Sequence, residues 1–231
     1  MTTLLVLAKS PVAGRVKTRL AADLGDLDLA ADLAADLAAD LAAAALLDTI
    51  DACTAAVGAG RCRLALDGSL ADGVRAADLS DALAGWTVVP QCGGDLADRL
   101  AHAHQGVAGP VVQVGMDTPQ LTPALLLALA EDLASSDAVL APAADGGWWA
   151  LALRSGRHGG LLRGVPMSGP RTYADTLAAL TAGGLRVADA RVLEDADHLA
   201  EAHRIAAAAP DTRFARALHD VSRAIDGLVP R

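Results

Sequence analysis

The sequence predicts an α/β fold with a mostly parallel sheet, on three observations. Short β-rich runs alternate with helical stretches along all 231 residues, as in chains whose parallel strands are joined by helices. Hydrophobic residues make up 53% of the chain and charged residues 20%, which is typical of a folded globular protein. No Pro- or Ser-rich linker divides the chain, so one domain over residues 1–231 is expected.

Seven short runs predict the strands, because each is rich in apolar or β-branched residues and is bounded by turn residues. In chain order they cover residues 3–8, 62–67, 87–90, 111–115, 138–141, 148–153 and 185–190.

Helices are predicted between and after these strands. The clearest follows Asp117, because Thr122 can cap it, Pro123 suits its first turn and leucines recur on one face as far as Leu133. Further helices are predicted over residues 95–104, 171–182, 197–209 and 212–225. Gly183 and Gly184 end the third of these five before the last strand.

A four-residue repeat, Asp-Leu-Ala-Ala, predicts one long amphipathic helix over residues 28–41. Its leucines are expected on one helical face. Its aspartates could resemble a metal site, but a solvated acidic face is the preferred interpretation because like charges at this spacing repel each other. The leucines are Leu29, Leu33, Leu37 and Leu41, and the aspartates are Asp28, Asp32, Asp36 and Asp40.

Charge and composition exclude several classes of protein. The formal net charge of −9 disfavours a general nucleic-acid-binding surface, so a small-molecule partner is expected. No stretch approaches the roughly 18 apolar residues that a membrane span needs, and no signal peptide is readable. The three cysteines lack C-x-x-C spacing and are interpreted as reduced thiols. A soluble, cytoplasmic protein is predicted.

A cationic loop follows the first strand. Lys9, Arg15, Lys17 and Arg19 all precede the first acidic residue, and these two lysines are the only lysines of the chain. With Gly14 between them, they predict a phosphate-binding loop at the carboxyl end of a strand, where open α/β sheets bind ligands. Neither a P-loop nor a dinucleotide-binding fingerprint is present. Ordinary surface lysines remain the alternative.

Two acidic segments are candidate metal sites. Asp117 follows the fourth strand as a lone carboxylate, and carboxylate oxygens are the ligands that magnesium prefers. Asp197 precedes a predicted helix and could join Asp117 on one ion. The alternatives are that Asp117 accepts backbone hydrogen bonds in a turn and that Asp197 caps the helix.

The segment Asp145-Gly146-Gly147-Trp148-Trp149 is a candidate substrate-binding loop. Its two glycines allow the backbone to approach a ligand closely, and two of the five aromatic residues of the chain follow them. Successive strand residues point to opposite faces, so at most one tryptophan is expected to face the cleft. A hairpin with core tryptophans is the equal alternative.

Taken together, these segments resemble the glycosyltransferase-A-like family of unassigned substrate known as domain of unknown function 2064, or transferase 1. The matching segments are residues 8–20, 91–100, 115–121, 142–151, 164–172 and 195–199. The first loop is also similar to that of the guanylyltransferase that activates phospholactate in deazaflavin cofactor synthesis. The chain departs from the nucleotidyltransferase pattern at two points: Gly14 alone replaces a G-x-G, and Met116 stands where a small polar residue is common.

The resemblance implies a nucleotide-diphospho-sugar transferase fold, Rossmann-like, with a mixed, mostly parallel sheet and helices on both faces. It implies that the phosphates or the nucleotide are contacted by Lys9, Gly14, Arg15, Lys17, Arg19 and Asp95. Of these, Lys17 and Arg15 are implied to be catalytic cations. It implies Mg²⁺ binding at Asp117 and Asp197. It implies substrate contacts from Asp145, Gly146, Gly147, Trp148, Trp149 and Arg171.

A nucleotidyltransferase is the preferred prediction: an enzyme that joins an NTP to a small phosphorylated acceptor with Mg²⁺ and releases pyrophosphate. The segment from Asp117 to Leu121 resembles the D-x-P-x-L of nucleotidyltransferases, whereas sugar transferases of this fold usually carry D-x-D. A glycosyltransferase that uses a nucleotide sugar and a non-catalytic nucleotide-binding module are the alternatives.

Overall fold

A single seven-stranded mixed sheet, in the order β3-β2-β1-β4-β6-β5-β7, organises the computed structural model, which describes residues 1–27 and 29–228. The strands are β1 (Thr3–Lys9), β2 (Cys62–Asp67), β3 (Thr87–Pro90), β4 (Val111–Val114), β5 (Ala138–Pro142), β6 (Trp148–Leu153) and β7 (Val187–Asp189). The helices are α1 (Thr18–Gly25), α2 (Ala31–Val57), α3 (Ala76–Ala82), α4 (Leu96–Gln105), α5 (Pro123–Asp132), α6 (Thr172–Ala182), α7 (Leu199–Ala208) and α8 (Arg213–Leu228).

The sheet confirms the predicted mixed, mostly parallel architecture. β6 runs antiparallel to its neighbours β4 and β5, and the other four strand pairs are parallel. All seven predicted runs form strands, with small differences at their ends. The α5 prediction also holds in detail, since the Thr122 side chain accepts a hydrogen bond from the Leu125 N–H.

Helices cover both faces of the sheet. One apolar cluster joins one face to α2, α3 and α5 through residues such as Leu46, Leu79 and Leu126. A second cluster joins the opposite face to α4 and α6 through Leu100 and Leu180. A third cluster packs α1, α2, α7 and α8 together beside the sheet. Among the described residues, no helix has the length and apolarity that crossing a membrane requires.

The repeat helix differs from its prediction. It is α2, it extends to Val57, and Asp28, the expected start, lies outside the described residues. The leucine row is not uniformly buried: Leu33 is 40% exposed, whereas Leu41 is fully buried. Each four-residue step overshoots a helical turn by about 40°, so the row drifts around the helix. The acidic face is not wholly solvated either, because Asp40 accepts two hydrogen bonds from Arg75.

Carboxylates from the first third of the chain cap the last two helices. The Leu199 N–H at the start of α7 donates to Asp23 at 2.8 Å. The first two N–H groups of α8, of Arg213 and Phe214, both donate to Asp48 at 2.9 Å. These bonds satisfy N–H groups that have no partner inside a helix. Asp197 is therefore not the cap of α7.

Candidate active site

A cavity of about 810 Å³ opens at one edge of the sheet. The parallel strands β1 and β4 end there, and β6 begins there because it runs in the opposite direction. The loops that follow or precede these strands therefore converge, which is how open α/β sheets form ligand sites. The cavity straddles this edge, so its two sides extend from the two faces of the sheet.

Lys17 lies between two carboxylates on one side of the cavity. Its Nζ atom is 2.8 Å from Asp197 Oδ1 and 3.7 Å from Asp117 Oδ2, and its side chain is only 7% exposed. The two carboxylate oxygens are therefore separated by no more than the sum of these distances. Lys17 also has a left-handed backbone with φ of 47°, a conformation that non-glycine residues rarely adopt. We call Lys17, Asp117, Asp195 and Asp197 the charged half.

The electrostatics of the charged half depend on this contact. Burial opposes the charge on Lys17, but the charges of Asp117 and Asp197 outweigh it and raise the lysine pKa. Burial likewise opposes ionisation of Asp197, whose pKa is nevertheless lowered by Lys17. Asp195 differs: burial and the charge of Asp117 raise its pKa to about 7, although Thr118 donates a hydrogen bond to it.

Backbone geometry places Asp117 in the cavity. A Cβ atom added at Gly115 would lie 2.6 Å from the Asp117 Oδ1 atom, so the carboxylate occupies space that only glycine leaves free. Within the described residues, the Asp117 carboxylate accepts no backbone hydrogen bond, which argues against a role limited to shaping the turn.

Three cations surround the mouth of the cavity. Lys9, Arg15 and Arg19 are exposed and line it, and the Arg19 Nη1 atom donates to Asp197 Oδ2 at 3.1 Å. Gly14 turns the loop with φ of +74°. The arrangement presents positive charge towards solvent next to the carboxylates.

The loop from Asp145 to Trp149 is the hairpin turn between β5 and β6. The Asp145 carboxylate accepts a hydrogen bond from the Gly147 N–H at 2.8 Å. A bulge at the start of β6 accompanies the two tryptophans, which pack on opposite faces of the sheet, as expected. Trp149 is 3% exposed, whereas Trp148 is half-buried, and both line the cavity. The expectation that at most one tryptophan faces the cleft is therefore wrong, because the cavity straddles the sheet edge and is lined from both faces.

The other side of the cavity is largely apolar. Leu7, Leu100, Trp148 and Met167 line it and belong to or pack on the second cluster, and Gln113 of β4 lines it with them. These five residues are called the apolar half below. Arg99 also lines the cavity, and its charge is paired with Asp67 at 2.9 Å.

The sequence profile of the family described as uncharacterized protein conserved in bacteria (DUF2064) matches residues 49–169, just over half of the chain. The chain belongs to this family. The family resemblance inferred from the sequence is thereby confirmed. No curated protein matches the sequence.

Several solved structures have the same fold as this DUF2064 chain. A protein of Desulfovibrio desulfuricans, provisionally described as a nucleotide-diphospho-sugar transferase, superposes with a TM-score of 0.80 at 22% identity, covering 98% of this chain and 97% of that one. A nucleotidyl transferase from Methanothermobacter thermautotroptrophicus has a TM-score of 0.53 at 20% identity, covering 93% and 98%. CMP:2-keto-3-deoxy-manno-octonic acid synthetase, solved with CTP, has a TM-score of 0.54 at 12% identity, covering 90% and 98%. These similarities establish the fold.

Most of the residues singled out in this DUF2064 sequence converge on the cavity. Those lining it are Lys9, Arg15, Lys17, Arg19, Asp117, Asp145, Gly147, Trp148, Trp149 and Asp197. Gly14, Gly146 and Arg171 lie next to lining residues without lining it themselves. Asp95 does not line it either: its carboxylate caps α4 by accepting the Asp98 N–H at 2.8 Å.

Several lining residues were missed by sequence reasoning, among them Asp195, Gln113 and Arg99. Asp195 precedes Asp197 by two positions, and that spacing was the available signal. Gln113 gave one signal, as a polar residue within an apolar strand run. Arg99 gave none, because arginine is common on helices of this chain. Within residues 1–27 and 29–228, no three His, Cys, Asp or Glu side chains form a ready-made metal site.

Proposed function

We propose that this protein is a metal-dependent nucleotidyltransferase that joins an NTP to a small phosphorylated acceptor. The proposal rests chiefly on one observation: the Lys17 ammonium lies between the Asp117 and Asp197 carboxylates, beside the exposed cations of the first loop. A triphosphate needs several cationic partners and a divalent ion, and the cavity offers groups for both.

The charged half fits a Mg²⁺ ion. Mg²⁺ is usually held by one or two carboxylates together with substrate phosphates, rather than by an all-protein cage. Asp117 and Asp197 supply two carboxylates that already share one cation, the Lys17 ammonium. These two residues would hold the ion, and when bound it would neutralise part of the charge of the triphosphate.

The residues of the chain supply binding and charge. Lys9, Arg15 and Arg19 stand at the mouth, where they bind and orient the phosphates of an incoming NTP. Lys17 donates hydrogen bonds to the phosphates and stabilises the charge that develops on the leaving group. Trp148 and Asp145 also line the cavity, where they contact the acceptor.

The transfer step needs no strong base. An oxygen of the acceptor phosphate attacks the α-phosphorus of the NTP and forms a new phosphorus–oxygen bond. The bond from the α-phosphorus to the bridging oxygen breaks, and pyrophosphate leaves with that electron pair. Because the acceptor phosphate is already ionised at neutral pH, no proton has to be removed, and positioning with charge neutralisation carries the rate.

The test is the product released. Each common NTP is incubated with Mg²⁺ and a panel of sugar phosphates and phospho-acids, and pyrophosphate is measured. Pyrophosphate that depends on one acceptor supports the proposal. Release of a nucleoside diphosphate from a nucleotide sugar would instead identify a glycosyltransferase, and nucleotide binding without turnover would identify a binding module.

Asp117→Asn is the matched variant for this assay, because it keeps the shape of the side chain and removes its charge. Turnover should fall by about 100-fold or more, since a carboxylate that holds the ion and pairs with Lys17 is lost. Asp137→Asn is the control: Asp137 pairs with Arg154 and Arg186 away from the cavity, so its loss should leave turnover nearly unchanged.

A further inference from the structure

The apolar half of the cavity contains a polar side chain that the proposed chemistry does not use. Gln113 is only 3% exposed, yet it lines the cavity. Its register partners on β1 and β6, Leu5 and Leu151, are fully buried members of the second apolar cluster. A carboxamide therefore stands in a layer that is otherwise built from apolar side chains.

The protein leaves this carboxamide incompletely satisfied. Among the described residues, the buried Gln113 Oε1 atom has no hydrogen-bond partner. Gln91, which also lines the cavity, differs because its Nε2 atom donates to the Ala8 and Ala65 carbonyls at 2.9 and 3.0 Å. A buried polar group without a partner destabilises the folded state, and a leucine at the same position would avoid that cost. Packing alone does not explain a glutamine here.

His104 of α4 lies against Gln113 and adds no charge. Burial lowers the pKa of His104 to about 4, with the Gln113 amide opposing the shift, so the imidazole is neutral at neutral pH. The ring is fixed by its surroundings, because a Cβ atom at Gly159 would collide with the His104 side chain. Both ring nitrogens of His104 are buried and, within the described residues, have no hydrogen-bond partner, so an uncharged group stands beside the carboxamide.

The walls around Gln113 suit an uncharged ring. Leu7, Leu100 and Trp148 provide apolar surface, and the charge of Arg99 is already paired with Asp67. A phosphate would lose its hydration here without gaining a free cation, whereas an uncharged ring that carries an N–H or hydroxyl donor would gain both apolar contact and a hydrogen bond.

Building on the proposed function, we infer that Gln113 is a specificity-determining residue whose carboxamide oxygen, Oε1, accepts a hydrogen bond from an N–H or hydroxyl group on an uncharged ring of the substrate. Two sources share this chemistry: the nucleobase of the NTP and a sugar-like ring of the acceptor. The inference predicts that Gln113 distinguishes between ligands with different rings but not between ligands that contain only phosphate.

The experiment compares Gln113→Met with the wild-type protein by calorimetry in Mg²⁺. The first arm measures each common NTP against inorganic tripolyphosphate, and the second measures glucose 1-phosphate against inorganic phosphate. In the arm whose ligand carries the ring that Gln113 recognises, the variant should bind the ring-bearing ligand about 5- to 30-fold more weakly than wild type. Its affinity for the phosphate-only ligand should change less than twofold. Loss in the first arm assigns the nucleobase, and loss in the second assigns the acceptor ring.

Thr49→Val is the matched control. Thr49 is fully buried in α2 and does not line the cavity, so replacing its hydroxyl should change neither arm. The inference is overturned if Gln113→Met alters neither arm, or if it weakens ring-bearing and phosphate-only ligands equally, as a structural defect would. Wild-type protein that binds none of the probes contradicts the proposed function as well as the inference. Unaltered affinities in the variant contradict the inference alone.

Discussion

The charged and apolar halves of the cavity lie on opposite sides of the same sheet edge and are built in different ways. The charged half joins Lys17, Asp117 and Asp197, which lie in three distant segments of the chain. The apolar half uses side chains of the core itself, including Leu7 and Gln113. The difference suggests a division of labour under the proposed function. Charged side chains brought together by loops would bind the phosphates, and core side chains at the sheet edge would select the ring.

The largest effect is expected from Lys17→Met, which removes the cation of the charged half. Turnover should fall by about 10²–10³-fold, because a buried group that stabilises developing charge is lost. Pyrophosphate release measures it. Arg204→Gln is the control, since Arg204 is exposed and paired with Glu194 and Glu201. Equal losses in the two variants would mean that the cationic loop is an ordinary surface.

His104, which lies against Gln113 of the apolar half, should make the free energy of unfolding depend on pH. Its folded pKa is lowered to about 4 from 6.5, so its contribution to the free energy of unfolding is fully present above pH 6.5. That contribution is lost as the pH falls from 6.5 towards 4, and it amounts to ~3 kcal/mol. Urea unfolding at several pH values measures the loss.

His102 is the matched control for His104, because it lies on the same helix and is exposed. His102→Asn should keep the wild-type pH dependence, and His104→Asn should flatten it. If His104→Asn does not fold, an NMR titration of the wild-type imidazole decides. Protonation of the folded His104 ring near pH 6.5 would show that it is not buried as described.

The two tryptophans test where the cavity meets the core. Trp149 is 3% exposed and packs in the first cluster, so Trp149→Leu should lower the free energy of unfolding by ~2 kcal/mol. Trp148→Leu should cost less than ~1 kcal/mol, because that ring is half-buried, but it should weaken ligand binding. Urea unfolding and ligand-induced tryptophan fluorescence separate the two effects. Equal destabilisation without any change in binding would place both rings in the core alone.

The smallest effect concerns metal binding without nucleotide. Lys17 occupies the position between Asp117 and Asp197 that a divalent ion would share, so the ion must displace its ammonium. Lys17→Met should therefore bind Mn²⁺ about tenfold more tightly than wild type, as measured by electron paramagnetic resonance. Arg19→Gln should change the affinity less than about threefold, because that side chain is 61% exposed and screened. Unchanged affinity in Lys17→Met would place the ion elsewhere.

The strands were predictable because buried parallel strands form apolar runs that turn residues interrupt. The full length of α2 was missed because its repeat ends at Leu41 while the helix continues to Val57, just before Gly58. The prediction followed the repeat and therefore covered only the low-complexity residues 28–41. The absence of glycine and proline from residues 26–57 was the better guide to the end of the helix.

The charged half was largely predictable, because four cations precede the first acidic residue of this acidic chain and Asp117 ends a strand run. The apolar half was not, because Leu7 and Leu100 look like any core residues in sequence. Their exposure to the cavity depends on how far each strand or helix extends past the sheet edge. Arg171 was placed by resemblance, and it lies beside the cavity rather than on its wall.

The remote capping of α7 and α8 has a consequence for how the chain acquires its structure during synthesis. The N–H groups that donate to Asp23 and Asp48 follow these residues by 176 and 165 positions in the sequence. Asp197 follows its partner Lys17 by 180 positions. Contacts this far apart in sequence close late, since loop closure precedes the gain from the contact. A nascent chain that has not yet emerged beyond β7 therefore lacks half of the Asp117–Asp197 pair.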